Sequence, residues 1–142
     1  MGFVANNWRN DIDVSQTYLE SPGTITIDFV EDVADRVEQG ARTLNKVRPG
    51  WHKEIDLDSL ELANTCDCVL GQVFGTYVDG IQAIENQRPG YNKGYLEEDE
   101  GFECDLSLPD KHKQRGQDFI SLEDYYKVMD QVWIAYIKNI RA

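Results

Sequence analysis

Apolar residues recur at helical spacing in three stretches of the chain. Val30, Val33, Val37, Ala41, Leu44 and Val47 step by three or four and form one stripe over about five turns. Asp28 has the chemistry of an N-cap, with Glu31 three residues on and Asp32 near the positive helix end. Arg42, Lys46 and Arg48 gather at the other end, where cations suit the dipole, and Pro49-Gly50 stops the helix. A second helix is predicted from about Thr65 or Asp67 to about Ile84. Leu70, Val73, Phe74, Tyr77, Ile81 and Ile84 share its face. Gly71 and Gly75 weaken that helix, so their presence predicts close approach of another backbone. The third starts at Ser121, an N-cap with Asp124 three residues on. It carries Leu122, Tyr125, Met129, Val132, Trp133, Tyr136, Ile137 and Ile140 on a wide apolar face.

The remaining segments lack a period. Residues 1–23 read as an N-terminal arm, and residues 24–142 as a single helical domain. Thr24-Ile25-Thr26-Ile27 is β-branched and suits either a short strand or an extended lead into the first helix. Residues 51–64 form a connector over the core, anchored by Trp51, with Leu57, Leu60 and Leu62 turned inward. Residues 86–120 form a long loop rich in turn chemistry, where Tyr91, Tyr95 and Phe102 are expected to pin it down. The expected fold is mainly α: a small three-helix domain with long connections and room for one or two short strands.

Charge changes this picture of an ordinary helical domain. The chain has 142 residues, with 14 Lys+Arg against 26 Asp+Glu and a formal net charge of −12. That excludes a direct nucleic-acid footprint and a polybasic lipid anchor, since both need Lys and Arg. No apolar run approaches the roughly 20 residues of a membrane span. The excess is uneven: residues 97–110 carry −7 with no Lys or Arg, while residues 111–142 are net +2. Glu97, Glu98, Asp99, Glu100, Glu103 and Asp105 are therefore the candidate contacts for a basic protein surface, with a solvated, self-repelling loop as the plainer reading.

Other chemistry is sparse. Cys66, Cys68, Cys104, His52 and His112 are the available soft ligands, and a zinc site would draw on Cys66, Cys68, Cys104 and His112. Their scatter and the one-residue spacing of Cys66 and Cys68 favour buried thiols instead. Asp56-Leu57-Asp58-Ser59-Leu60-Glu61 begins like a calcium loop, but Leu60 falls on the next ligand position and Glu61 replaces the turn glycine. No phosphate-binding loop, dinucleotide fingerprint, metalloprotease motif or nucleophile elbow is present, so no catalytic residue and no cofactor is expected. The leading residues lack a signal-peptide core, which predicts reduced thiols in a cytosolic setting.

One block has a familiar look: Arg48-Pro49-Gly50-Trp51, then Ile55-Asp56-Leu57-Asp58-Ser59-Leu60-Glu61-Leu62, then Cys66-Asp67-Cys68-Val69-Leu70-Gly71-Gln72-Val73-Phe74-Gly75. It resembles a family of small proteins encoded by bacteriophages of actinobacteria, over residues 30–85 and loosely in the last helix. The resemblance implies a phage origin and a mainly helical fold, and it brings no assigned activity. It singles out Trp51, Cys66, Cys68, Leu70, Gly71, Gln72 and Gly75. Together with the acidity it implies a non-catalytic accessory protein. Such a protein would bind a host or anti-phage defence protein with a basic surface, by charge mimicry, in the host cytoplasm. The alternatives are a virion or assembly protein, which could be a homo-oligomer, and a small zinc-binding protein.

Overall fold

A computed structural model describes residues 6–14, 19, 25–91, 100–102 and 122–141. The architecture is mainly α with long connections. Among the described residues there are four α-helices: α1 (Ile27–Val47), α2 (Val69–Phe74), α3 (Tyr77–Gln87) and α4 (Leu122–Arg141). Two short 3-10 helices, Asn6–Asp11 and Trp51–Glu54, accompany them, and no strand occurs among these residues.

The long faces of α1 and α4 make the core, with Phe29 and Tyr125 meeting near the N-terminal ends of the two helices. Phe29, Val33, Val37, Ala41 and Leu44 are buried along α1, opposite Tyr125, Met129, Val132, Trp133, Tyr136 and Ile137 of α4. This is the stripe-to-stripe packing that a 3.6-residue period dictates. The cap of α1 differs from expectation. Thr26, not Asp28, is the N-cap, its Oγ1 accepting the Phe29 N–H at 3.1 Å. Asp28 instead sits exposed in the first turn, where its charge still suits the dipole. The β-branched lead is thus a capping segment and not a strand.

The second expected helix is two helices. Gly75 adopts φ +102°, a conformation that side-chain-bearing residues rarely take, and its N–H closes α2 onto the Gly71 carbonyl. Thr76 then caps α3, its side chain accepting the Asp79 N–H at 3.0 Å. The single apolar face was real, but a cap and a stop lay inside it.

The segment read as an N-terminal arm is, over residues 6–14, packed on the domain. Trp8 is 2 % exposed and meets Tyr136 edge-on at 5.1 Å between centroids. Arg9 spans the acidic row of α1, reaching Glu31 at 2.5 Å, Asp35 at 2.7 Å and Glu38 at 2.6 Å. Those three lie four and three residues apart, so one helix face presents them together.

Trp133 is the hub of the core. Trp51 meets it edge-on at 5.9 Å and Phe102 stacks on it at 5.6 Å. Tyr91 and Phe102 are each 1 % exposed, so both pin the long loop as expected. Tyr95 lies outside the described residues.

Candidate functional site

Of the residues singled out by the sequence block, Trp51, Cys66, Cys68, Leu70, Gly71 and Gln72 lie on or against one device, the connector that runs from Trp51 into α2, while Gly75 ends α2. Trp51 is fully buried and its indole N–H donates to Asn45 Oδ1 at 2.9 Å. Leu60 and Leu62 are buried and Leu57 is half-buried, so the connector turns its leucines inward. Cys68 is fully buried as the N-cap of α2, its Sγ accepting the Gly71 N–H at 3.3 Å. Cys66, two residues away, is exposed. A Cβ on Gly71 would lie 2.4 Å from the Thr65 carbonyl oxygen and 2.7 Å from the Cys66 carbonyl group, so only glycine lets the preceding turn close. Leu70 is buried against Gly80 of α3, where an added Cβ would meet Leu70 Cβ at 2.6 Å.

Gln72 fastens the connector to α2. Its Oε1 accepts the Asp56 N–H at 2.6 Å, while its Nε2 donates to the carbonyls of Asp56 at 3.1 Å and Asp67 at 3.0 Å. Asp56 in turn accepts the Ser59 hydroxyl at 2.6 Å and the Asp58 N–H at 3.0 Å. The Ser59 hydroxyl, above all, holds the Asp56 carboxyl below its usual range. The motif block therefore builds a rigid loop.

That loop shows an acidic face. Glu54, Asp56, Asp58 and Glu61 are exposed and Asp67 is half-exposed. From residue 54 to residue 87 the chain has no Lys or Arg, and Asp79 and Glu85 of α3 extend the same charge. Cations border it at Lys53 and Arg88 in the chain, at Arg48, which pairs with Glu54 at 2.8 Å, and at Arg141, which holds backbone carbonyls of the connector. The sequence marks this connector as acidic and solvated, but charge density alone ranks residues 97–110 above it. The absence of any cation over 34 consecutive positions was the signal.

The acidic run at 97–110 fares differently. Glu97, Glu98, Asp99, Glu103 and Asp105 lie outside the described residues. Glu100 corrects the expectation of a solvent-facing contact, because it is 8 % exposed and fully engaged. Its Oε2 accepts the Thr43 hydroxyl at 2.8 Å and the Arg88 guanidinium at 2.9 Å, and its Oε1 accepts the Tyr91 hydroxyl at 2.8 Å. Gly101 follows at φ +72°, its carbonyl receiving the Trp133 indole N–H at 2.8 Å. Glu100 to Phe102 is thus a clasp on α1 and α4. Gly40 of α1 makes room for it, since a Cβ there would sit 2.1 Å from the Glu100 carbonyl oxygen.

For metal chemistry, Cys104 and His112 lie outside the described residues, and Cys68 Sγ is committed to its cap. Among the described residues no group of three His, Cys, Asp or Glu side chains is placed to hold a metal ion. An open cavity of about 430 Å³ between residues 11–13 and α4 is lined by Asp11, Asp13, Ile134 and Lys138 among others, and includes none of the expected site residues. Among the described residues no helix is long and apolar enough to cross a membrane.

Comparison with known proteins finds no matching family model, no matching curated protein and no matching solved structure.

Proposed function

We propose that this is a non-catalytic binding protein that docks a basic surface of another protein on its connector face. One observation carries the reading: exposed carboxylates at Asp56, Asp58 and Glu61 stand on a loop held by Gln72 and the inward leucines, in a stretch without a single cation. Fixed like charges cost self-repulsion in the free protein, and a cationic surface relieves that cost on binding. Such complementarity chiefly accelerates encounter and excludes acidic competitors. In the phage setting that the motif block suggests, the partner is a host nucleic-acid-binding or anti-phage defence protein, whose own ligand the acidic face imitates.

The test is capture of partners from actinobacterial host lysate at low and at high salt. The double variant Asp58→Lys/Glu61→Lys reverses the exposed face and spares Asp56, which holds the loop. Loss of capture by the variant, and loss by the parent at high salt, are the expected results. A parallel reversal of Glu97, Glu98 and Asp99 apportions the effect between the connector and the long loop. Equal capture by both reversed variants and the parent would sink the charge-based reading.

A further inference from the structure

The acidic connector is fastened to α4 at two points, one near each end. At the first, the Arg141 guanidinium donates to the His52 carbonyl at 2.5 Å and to the Ile55 carbonyl at 2.5 Å. At the second, Asp130 Oδ1 accepts the Leu62 N–H at 2.7 Å. Each fastening contains one side chain whose charged form is badly placed. His52 is half-buried, its Nδ1 is shut off from solvent with no hydrogen-bond partner, and its ring lies edge-on to Trp51. Lys53 is its neighbour in the chain and Arg141 is bound to its own carbonyl, so protonation would add a third positive charge and a buried N–H without an acceptor. Asp130 is half-buried, with the Leu62 N–H as its backbone donor and Glu61 as the charged group that faces it. Its ionisation strengthens the Leu62 bond but leaves a half-buried carboxylate facing Glu61, the residue next to Leu62 in the chain.

We infer that the connector is a two-ended latch whose ends answer pH in opposite senses: falling pH loosens the Trp51–Ile55 end, and rising pH loosens the Glu61–Leu62 end. The titration directions agree with this geometry. Burial, then Arg141 and Lys53, lower His52 from its ordinary value. Burial, aided by Glu61 and opposed by the Leu62 N–H, pushes Asp130 up to about 7. A lowered histidine contributes stability that is complete above its unfolded value, about 6.5, and that fades as pH falls. A raised carboxyl contributes stability that is complete below its unfolded value, about 3.9, and that is lost as pH rises through the folded one. Near neutrality the two ends are thus biased against each other, and the acidic face between them is the segment that moves. The inference rests on the docking role proposed above only for its biological meaning, because the latch itself belongs to the free protein.

The experiment is residue-resolved amide exchange by NMR on the unbound, full chain between pH 5 and pH 8, corrected for intrinsic rates. The Leu62 amide reports the Asp130 end. The Lys53 amide, which bonds to the Gly50 carbonyl at 3.1 Å, reports the His52 end. Val37 in the middle of α1 is the reference. Relative to it, Leu62 protection is expected to fall about tenfold from pH 6 to pH 8, and Lys53 protection to fall about threefold or more from pH 7 to pH 5. Asp130→Asn is expected to flatten the Leu62 profile and leave that of Lys53, and His52→Gln to do the reverse. Wild-type profiles that are flat, or that move in the same direction, overturn the latch whatever the variants do. Neither result touches the capture experiment, so the two proposals fail separately.

Discussion

Glu100 and Asp130 are both drawn at least partly away from water, and their surroundings differ. Glu100 is met by the Arg88 guanidinium, the Thr43 hydroxyl and the Tyr91 hydroxyl, so both its oxygens are engaged by donors. Asp130 is met by one backbone N–H and faces another acid, Glu61. Glu100 closes a clasp that holds the long loop on the α1–α4 core. Asp130 holds a loop that carries the exposed acidic face. The contrast teaches that burial alone says little about a charge. The donor count around it decides whether the group anchors a structure or leaves it sensitive to protons.

The comparison can be broken most severely at Gly40. Gly40→Ala should cost about 3 kcal/mol in chemical denaturation, although alanine is the better helix former by roughly 1 kcal/mol, because the new Cβ collides with the clasp backbone. A neutral or stabilising result would mean that the clasp does not sit on α1. Glu100→Ala comes next, at about 2 kcal/mol, since it removes the acceptor to which the buried Thr43 and Tyr91 hydroxyls donate, while the Arg88 guanidinium partly reaches water and loses less. Asp130→Asn should act with the opposite sign. The wild-type carboxyl contributes stability at low pH that is lost as pH rises towards 7 and beyond. The amide keeps the Leu62 bond without charge, so the variant should be more stable by about 1–2 kcal/mol at pH 8, discounted for partial exposure, with the gain vanishing near pH 4. Thermal melts at the two pH values check this, and a variant less stable than the parent at pH 8 would contradict it. The smallest effect belongs to Glu61→Gln, a few tenths of a kcal/mol of stabilisation at pH 8 and low salt, shrinking as salt screens the exposed partner.

The long faces of α1 and α4 were legible in the sequence because their period alone specifies which residues meet. Trp51 was legible as an anchor because a large apolar residue after a Pro-Gly stop has nowhere else to go. The division of α2 from α3 was not read, although Thr76 with Asp79 three residues on is a capping signature. An unbroken apolar face masked it. Trp8 and Arg9 were not read either, since a 3-10 turn has too few residues to show a period and its partners lie far along the chain, on α1 and on α4. The role of Glu100 depends on Thr43, Arg88 and Tyr91 at once. In the sequence it is one acid among several neighbours, and nothing local separates it from them.

Gln72 has a consequence beyond holding a loop in place. Its amide exchanges two hydrogen bonds with the backbone of Asp56, one given and one taken, which is the pairing that neighbouring strands make with each other. A side chain therefore serves as a single rung of a ladder that has no second strand. A rung made of backbone tolerates almost any residue, whereas a rung made of side chain admits only a group of this length that both donates and accepts. Glutamate loses the donor, methionine loses both functions, and asparagine falls a methylene short. The connector's alignment is thereby encoded in one identity and not in a pattern, and a designer who lengthened the turn between Asp58 and Glu61 would keep the alignment as long as that one amide stayed.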